Sequence, residues 1–360
     1  MPFDPNKPYN DLSLLPPPVD LESKAVLKKA IAANKALAEL KGIGELIPNQ
    51  GVLIHAIGLQ EAKFSSEIEN IVTTNDELYR AFADAGHNTN PHTKEVLHYQ
   101  EALWHGFDAI RHKNRPLTTN LYKELYQIIK QTTAGIRQVR GTKLANPLGE
   151  VIYTPPEGES LLRDKLANLE KFIYADDGLD PLVKLAVLHY QFEAIHPFTD
   201  GNGRTGRIIN ILYLIERRLL DIPVLYLSRF IIENKNAYYS GLRRVTADGA
   251  WEPWILYMLD AVEQMARVTR DRILVIRDLM TVTADLVKAK TPKIYSKDLI
   301  EVLYHQPYCK IKFLKQAGIG NRQTASAHLK KLEAIGLLHG VKKGRELYYI
   351  NTKFFDVLIK

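Results

Sequence analysis

The chain has 360 residues, 46% of them hydrophobic, which is enough to bury a good core and suits two or three domains. Its single cysteine, Cys309, excludes an intramolecular disulfide and a cysteine-rich metal site and favours a reducing, cytoplasmic location. The formal net charge is +7, but residues 290–360 carry 14 Lys/Arg and 5 Asp/Glu, a net +9, so the rest comes to about −2. The basic character therefore belongs to the C-terminal part alone.

The N-terminal segment is rich in proline and has no apolar run, and no stretch approaches the roughly 18 consecutive apolar residues of a membrane span. We therefore expect neither a signal peptide nor a membrane partner. After LPPPVDLES at 15–23, residues 25–40 have helical character. EAKFSSEIEN at 61–70 places Ser65 and Glu69 four residues apart.

A hairpin is predicted before the middle of the chain. GEVIY at 149–153 is strand-like, and TPPEG at 154–158 is turn-like. Exposed strand edges recruit extended peptides, so the hairpin is a candidate surface for a protein partner. The alternative is an ordinary surface hairpin.

Two apolar helices are predicted, one at 181–195 and one whose apolar positions run from 208 to 219. Their apolar positions recur at helical spacing at Leu182, Leu185, Leu188, Phe192, Ile208, Ile211, Leu212, Ile215 and Leu219. The segment between them, HPFTDGNGRTGR at 196–207, is therefore a helix-to-helix loop. We expect the second helix to begin near Gly203 or Arg204, so that its free N–H groups and positive dipole end point back at the loop.

The loop combines residue types that chemistry on a nucleotide phosphate needs. Arg204 and Arg207 lie one helical turn apart, and guanidinium forks suit phosphate oxygens. Asp200 is suited to Mg²⁺, which binds through one or two carboxylates plus substrate phosphates. His196 has an ordinary pKa near neutrality and can take the proton from an attacking hydroxyl. The glycines allow tight backbone turns beside a ligand.

Other phosphate motifs fit the loop less well. GNGRTG at 201–206 satisfies the dinucleotide fingerprint G-x-G-x-x-G, but that motif requires a buried strand before the glycines, and HPFTD is no such strand. A P-loop requires Gly-Lys-Ser/Thr, which is absent. A purely structural glycine-rich turn does not explain two arginines and an aspartate around it. The sequence therefore predicts a nucleotide site.

The loop matches every fixed position of H-P-F-x-D/E-G-N-G-R-x-x-R, the active-site pattern of Fic-domain proteins, and the chain resembles that family over nearly its whole length. The resemblance implies a mainly α fold, a Fic-type helical bundle with a small β-hairpin flap. It implies transfer of AMP from ATP, with Mg²⁺, to a Ser, Thr or Tyr hydroxyl of a protein, the chain itself included. His196 would be the general base and Asp200 the metal ligand.

The resemblance also implies the nucleotide contacts. Asn202 and the backbone of Gly201 and Gly203 would hold the α- and β-phosphates, and Arg204 and Arg207 the β- and γ-phosphates. The full set of implied contacts around the loop is Phe198, Thr199, Asp200, Gly201, Asn202, Gly203, Arg204, Thr205 and Arg207.

Two further pairs gain a role from the resemblance. Val151 and Ile152 of the flap would touch adenine and target, and Tyr238 with Tyr239 in NAYYSGL is similar to the family's aromatic pair near adenine. Tyrosines on a helix are more often core residues, and that alternative stays open. The helix that follows, introduced by WEPW at 251–254, is explained by packing.

An inhibitory segment is the third implication. Ser65, Glu69 and Asn70 match the family's inhibitory-helix pattern S/T-x-x-x-E-G/N. The resemblance implies that Glu69 pairs with Arg207 and occupies the guanidinium that should bind the γ-phosphate. ATP would then bind with its α-phosphate badly aligned for in-line attack, and a misplacement of about 1 Å costs orders of magnitude in rate.

The basic C-terminal part resembles a winged helix-turn-helix. Ser296 caps a helix to His305, 311–316 is a second helix, Asn321 caps a third at 322–334, and strands at 337–341 and 346–350 flank a basic turn. In such a unit the third helix enters a major groove, with outward-facing Arg322, Gln323, Ser326 and Lys330. Winged helices also dock proteins, so DNA is one of two partner classes.

We therefore predict three parts: 1–95, an N-terminal helical domain with the inhibitory helix at 61–70; 96–270, the catalytic domain; and 271–360, a linker helix and a winged helix-turn-helix. Self-modification and a homodimer are further implications of the resemblance. Three alternatives stay open: transfer of another phosphate-containing group, removal of AMP with Glu69 activating water, and a DNA-binding regulator that only senses ATP.

Overall fold

A computed structural model describes residues 3–44, 50–84, 89–146 and 148–360. Most of these residues are α-helical and two small antiparallel sheets complete the fold, which confirms the mainly α prediction. The helices are α1 (Lys24–Gly44), α2 (Gln50–Ile68), α3 (Asn75–Ala83), α4 (Pro91–Arg111), α5 (Thr119–Lys130), α6 (Glu159–Tyr174), α7 (Pro181–Ile195), α8 (Asn202–Glu216), α9 (Leu227–Glu233), α10 (Lys235–Asp248), α11 (Trp251–Lys290), α12 (Lys297–His305), α13 (Ile311–Gln316), α14 (Arg322–Ala334) and α15 (Thr352–Ile359). The strands are β1 (Leu144–Ala145), β2 (Val151–Tyr153), β3 (Tyr308–Cys309), β4 (His339–Lys343) and β5 (Glu346–Ile350). Among the described helices, none has both the length and the apolar character that crossing a membrane requires.

Helices α7 and α8 occupy the centre of the fold, and nearly all of their side chains are buried. The predicted apolar positions Leu182, Leu185 and Leu188 have no exposed surface, as their helical spacing requires. Helix α8 begins at Asn202, one residue before the predicted start, because Gly201 takes a left-handed conformation and forms the N-cap. The predicted site loop is therefore held between two buried helices.

The 40-residue helix α11 joins the centre of the molecule to its C-terminal part. It begins at the predicted WEPW segment, and its buried positions continue well past Met258, through Met265, Ile273 and Ile276 to Val287. Helix α1 packs along it. The predicted domain boundaries at 95 and 270 fall inside α4 and α11, which pass through them without a break. The three-part division stays a prediction.

The predicted strand at 149–153 is found as β2, but its partner β1 precedes it, and TPPEG at 154–158 leads into α6 instead of forming the hairpin turn. In the β1–β2 hairpin, Leu144 lies opposite Tyr153 and Ala145 opposite Val151. The N-terminal segment covers its base, where the Tyr9 N–H donates to the carbonyl of Thr154 at 2.9 Å and the Thr154 hydroxyl donates to the carbonyl of Pro5 at 2.6 Å. On the other side, the Tyr153 hydroxyl donates to the Ala194 carbonyl near the end of α7 at 2.7 Å. The hairpin is thus anchored beside the site loop.

The C-terminal part contains the three predicted helices, α12, α13 and α14, with side-chain caps from Ser296 and Asn321 on the first and third. Its sheet has the strand order β3-β5-β4. Of these strands, only the β4–β5 hairpin was predicted, and β3 was not. This part packs on α2 and α3, where Lys310 Nζ lies 2.7 Å from Asp84 and the Tyr308 hydroxyl donates to Asp76 at 2.5 Å. Its assignment as a winged helix stays a prediction.

Candidate active site

His196 directly follows α7 and has a left-handed backbone, with φ 50° and ψ 59°. For a residue other than glycine this conformation costs roughly 1–2 kcal/mol, so other contacts must hold it. Its N–H donates to the Phe192 carbonyl at 3.1 Å. Its carbonyl accepts from Arg137 Nε at 2.8 Å, and the next carbonyl, of Pro197, accepts from the Arg137 backbone N–H at 2.9 Å. The turn that presents the imidazole is therefore fixed on both sides.

Three of the predicted nucleotide contacts have side chains turned into the protein. Both polar atoms of the Asn202 side chain bond to the backbone of Phe198, at 2.8 Å each. The Thr205 hydroxyl donates to the Gly201 carbonyl at 2.9 Å. The Phe198 ring is fully buried and stacks on Tyr126. These side chains build the loop, and what their positions can offer a phosphate is backbone N–H groups.

The first turn of α8 has the features of an anion site. The N–H groups of Asn202, Gly203 and Arg204 lie at the start of the helix, where no intrahelical acceptor exists, and the helix dipole favours negative charge there. Arg204 and Arg207 follow on the same helix, and each is only 1% exposed. The turn therefore combines backbone N–H donors with two guanidinium groups on the same helix.

Arg207 is bound by the end of α2. Its Nη2 donates to Glu69 Oε1 at 2.8 Å and to the carbonyl of Ser65 at 2.9 Å, and its Nε donates to the Ser65 hydroxyl at 2.8 Å. The Glu69 carboxylate lies over the start of α8, so close that a Cβ on Gly203 would stand 2.4 Å from Glu69 Oε1. A negative group therefore already occupies this side of the anion site.

The predicted inhibitory helix at 61–70 is two residues too long, because α2 ends at Ile68. The Asn70 N–H donates to the Glu67 carbonyl and the Ile71 N–H to the Ser66 carbonyl, both at 3.0 Å, which is a Schellman C-cap. Asn70 has φ 61°, the left-handed position that favours glycine or asparagine. Asn70 thereby ends the helix so that Glu69, the preceding residue, faces Arg207.

Arg204 has a different partner, which the sequence did not reveal. Its Nη1 lies 2.8 Å from Glu95 Oε2 of α4. Lys130, the last residue of α5, lies 3.8 Å from the same Glu95 oxygen and 2.6 Å from Asp200 Oδ2. Glu95 and Lys130 are separated from the loop by many residues, and no motif marked them. The four side chains form a chain of alternating charge at the outer side of the loop.

The imidazole of His196 is suited to accept a proton. Burial, followed by the charge of Arg137, lowers its pKa to about 4, so it is neutral at pH 7. Glu193, one helical turn earlier on α7, was not predicted. Burial raises its pKa to about 7 against the opposing effect of Arg207, and Glu69 raises it further. Its Oε1 has no hydrogen-bond partner within the described ranges.

A second carboxylate on α2 fixes that helix beside the site. Glu61 accepts hydrogen bonds from the Ser228 N–H at 3.0 Å, from the Ser228 hydroxyl and from the Tyr99 hydroxyl at 3.4 Å. Burial raises the pKa of Glu61 to about 7, although the hydrogen bonds from Ser228 and the charge of Arg207 oppose that rise. This contact was not visible in the sequence, because Ser228 lies on α9.

Asp200 fits the predicted metal ligand chemically. Its carboxylate offers hard oxygen donors, and its side chain is 66% exposed. The positive charge of Lys130 pairs with this carboxylate, as the charge of a metal cation would. Burial works to raise the pKa of Asp200, but the hydrogen bond and charge of Lys130 lower it overall, so the group is ionised. Within the described part of the chain, no cluster of three or more Asp, Glu, His or Cys forms a metal site. A divalent cation here would need substrate phosphates as further ligands.

The remaining predicted contacts lie in three places: strand β2, the site loop and helix α10. Val151 and Ile152 are half-buried in β2, and the exposed Thr199 shares a hydrogen bond with the Tyr126 hydroxyl at 3.2 Å. Tyr238 is buried, and its hydroxyl bonds to His189 Nε2 at 2.8 Å. Of the tyrosine pair, Tyr239 has the accessible ring, which is 40% exposed and lies against Tyr238.

Three family models match successive parts of the chain. Residues 27–108 match the Fic/DOC family N-terminal model, 116–214 the Fic/DOC family, and 279–354 the C-terminal domain of the SoFic-like protein adenylyltransferases. The second match contains the whole site loop, and the first contains Ser65, Glu69 and Glu95.

Similar proteins carry related names. Protein adenylyltransferase fic-1 of Caenorhabditis briggsae is 33% identical over 108 residues, which is 29% of this chain and 20% of that protein. A probable protein adenylyltransferase of Aquifex aeolicus is 40% identical over 91 residues, 25% of this chain and 26% of that protein. The matched segments thus span about a quarter of these relatives at most. The crystal structure of a Fic family protein from Desulfovibrio desulfuricans is 18% identical, covers 93% of this chain and 98% of its own, and has a TM-score of 0.56, which shows a shared fold.

Proposed function

Because the chain belongs to the Fic/DOC family, we propose that it is a protein adenylyltransferase, which moves AMP from ATP to a Ser, Thr or Tyr hydroxyl of a protein, and that Glu69 inhibits this transfer. One observation carries the proposal. A neutral histidine and the free N-terminus of α8 flank the same short loop, and Arg207 of that helix is held by Glu69. The names of the relatives support the same activity.

In the proposed reaction, the target hydroxyl oxygen bonds to the α-phosphorus of ATP. The bond from that phosphorus to the oxygen that bridges the α- and β-phosphorus atoms breaks. Pyrophosphate leaves, and His196 takes the hydroxyl proton. The N–H groups of the first turn of α8, with Arg204 and Arg207, stabilise the charge of the phosphates. Asp200 would hold Mg²⁺, which neutralises phosphate charge when bound.

Inhibition follows from the occupancy of Arg207. Its guanidinium already has acceptors from Ser65 and Glu69, so the γ-phosphate of ATP has no free fork to bind there. Like charges would also meet, because the carboxylate lies over the first turn of α8. ATP would then bind with a shifted polyphosphate, and its α-phosphorus would not lie in line with the attacking hydroxyl.

The test compares wild type, Glu69→Gly and Glu69→Gly/His196→Ala, each incubated with Mg²⁺ and ATP labelled at the α or the γ position. We expect an AMP-sized mass gain carrying α-label that is strongest in Glu69→Gly and absent in the double variant. The same gain in purified protein without lysate would mean self-modification. A phosphate-sized mass gain carrying γ-label would mean that the protein transfers phosphate and not AMP.

AMP removal is the alternative that makes Glu69 a catalytic group. It predicts that wild type releases AMP from an AMP-modified protein and that Glu69→Gly does not. Absence of label transfer by every variant, together with such release, would overturn the proposed direction of the reaction.

DNA binding by the C-terminal part is a second candidate function, favoured by the surface of α14. Arg322, Gln323 and Lys330 are exposed there, Ser326 is half-buried, and Ala325 and Leu329 face inward. If this surface binds duplex DNA, affinity should fall steeply with salt and weaken in Arg322→Ala and Lys330→Ala. Fluorescence anisotropy with a labelled duplex measures both effects, and binding that these variants leave unchanged would reject the surface.

A further inference from the structure

Arg137 lies in the loop between α5 and β1 and contacts two separate segments of the site. Its Nε donates to the carbonyl of His196 at 2.8 Å, and its own backbone N–H donates to the carbonyl of Pro197 at 2.9 Å. Its Nη2 donates to the carbonyl of Pro156, which follows the flap strand β2. One side chain thus joins the catalytic turn to the base of the flap.

This guanidinium is buried in an unusual way. Arg137 is 2% exposed, and within the described residues its Nη1 has no hydrogen-bond partner. Burial lowers its pKa, and Tyr153 and Glu157 oppose that effect only through charge interactions. A buried cation that hydrogen-bonds carbonyls instead of an adjacent carboxylate is unfavourable for stability alone. Its position next to His196 indicates another role.

The contact acts where the backbone is strained. His196 has a left-handed backbone, which a side chain other than glycine disfavours, and Arg137 binds the carbonyl of this residue. The same guanidinium fixes Pro156, while the Tyr153 hydroxyl ties β2 to the Ala194 carbonyl. The flap and the imidazole are therefore positioned from one group of contacts.

We propose that Arg137 is a positioning residue for the transfer reaction, which holds the His196 turn in its left-handed conformation and couples it to the base of the flap. The inference rests on the proposed function. Since the flap is predicted to align the target and His196 to take its proton, one guanidinium would align the nucleophile and its base.

Electrostatics give the same residue a second effect. The charged groups that act on His196 are Arg137, Glu69 and Asp200, and of these only Arg137 opposes protonation of the imidazole. Burial is the larger cause of the lowered pKa. If the charge of Arg137 is removed, the pKa of His196 should rise but remain below its ordinary value.

The test uses the full chain in the Glu69→Gly background, with Arg137→Gln and Arg137→Lys. Three quantities are measured: kcat and KM for α-labelled ATP across pH, the melting temperature, and the pKa of His196 by NMR of histidine-labelled protein. His196→Ala identifies the His196 signal. The matched control is Arg217→Gln. Arg217 follows the C-terminal end of α8, away from the site loop, and like Arg137 its guanidinium donates to a main-chain carbonyl, that of Ile173.

We expect kcat to fall by about 100-fold in Arg137→Gln, with a much smaller change in KM for ATP. Arg137→Lys keeps the charge, so it should retain the low pKa of His196 but still lose rate, whereas Arg137→Gln should raise that pKa. Arg217→Gln should lower the melting temperature without moving the His196 signal. A kcat and a His196 signal that match the parent in both Arg137 variants would overturn the proposal, as would a lowered melting temperature alone.

The NMR measurement separates this inference from the proposed function. If Glu69→Gly transfers no AMP, the proposed function is wrong, but the His196 signal still reports whether Arg137 positions the imidazole. An unshifted signal in a folded Arg137→Gln protein rejects the positioning role whatever the activity.

Discussion

Arg204 and Arg207 lie one turn apart on α8, are equally buried, and each pairs with a glutamate whose side chain is about one-third exposed. Their surroundings nevertheless differ. Arg207 has three bonds to acceptors on one short segment, the end of α2. Arg204 has one bond to Glu95, a carboxylate that it shares with Lys130, and its Nε has no partner among the described residues.

Under the proposed function, this difference separates an ion pair that would inhibit transfer from one that would not. Glu95 is neutralised by two cations, so a phosphate that arrives at Arg204 displaces a contact that is already divided. Glu69 and Ser65 bind Arg207 together, and Glu69 also lies over the first turn of α8. Burial of the arginine is therefore not the deciding property. The deciding properties are the number of acceptors that bind the arginine and whether those acceptors also block the N-terminus of α8.

The largest expected effect is that of removing the charge of Glu69, and the matched variant removes the charge of Glu95. Glu69→Gln should raise AMP transfer by about 100-fold, because the γ-phosphate gains Arg207 and the α-phosphate aligns. Glu95→Gln, the matched variant, should change AMP transfer by less than about 5-fold, since the Glu95 carboxylate is one-third exposed and is shared between Arg204 and Lys130. Initial rates with α-labelled ATP measure both, and equal effects of the two variants would remove the distinction between the arginines.

The anchoring of α2 should depend on pH through Glu61. Its folded pKa is raised to about 7 by burial, so its contribution to stability is present below the ordinary carboxyl pKa and is lost as pH rises through about 7. Relative to Glu61→Gln, wild type should lose on the order of 2 kcal/mol between pH 5 and pH 8. Denaturant unfolding at the two pH values measures the difference, and a constant difference would contradict the raised pKa.

A smaller effect is expected from Ser65. Ser65→Ala removes one of the hydrogen bonds to the Arg207 guanidinium and should raise the basal transfer by roughly 10-fold or less. Ser66→Ala is the control, because the buried Ser66 hydroxyl has no hydrogen-bond partner within the described ranges. The comparison uses the initial rate without a Glu69 change. If both variants behave alike, the serine hydroxyl has no part in holding Arg207.

Local patterns accounted for much of this molecule. The spacing of Leu182, Leu185 and Leu188 gave α7 its bounds, and the caps at Ser296 and Asn321 gave the starts of α12 and α14. These features depend on neighbours within about one or two helical turns, which a sequence displays directly. The end of α2 was misplaced by two residues, since the left-handed conformation of Asn70 competes with continued helix.

The site divides in the same way. The loop motif named His196, Asp200 and both arginines, but it assigned Asn202, Phe198 and Thr205 to the nucleotide when their side chains close the loop itself. A motif gives residue types at fixed spacing, and it does not show which side chains face inward. Burial and hydrogen bonding within the loop decide that.

Local patterns in the sequence established helices α7, α8, α12, α13 and α14, the strand β2, and the residue types of the loop between α7 and α8. Only the tertiary structure brought Glu95, Lys130 and Arg137 to that loop and set Glu61 of α2 against Ser228 of α9. Their positions depend on how α2, α4, α5 and the flap pack around α7 and α8. Because charge interactions and hydrogen bonds act over a few ångströms in space and are indifferent to separation along the chain, the local environment of the chemical groups became visible only in the folded protein.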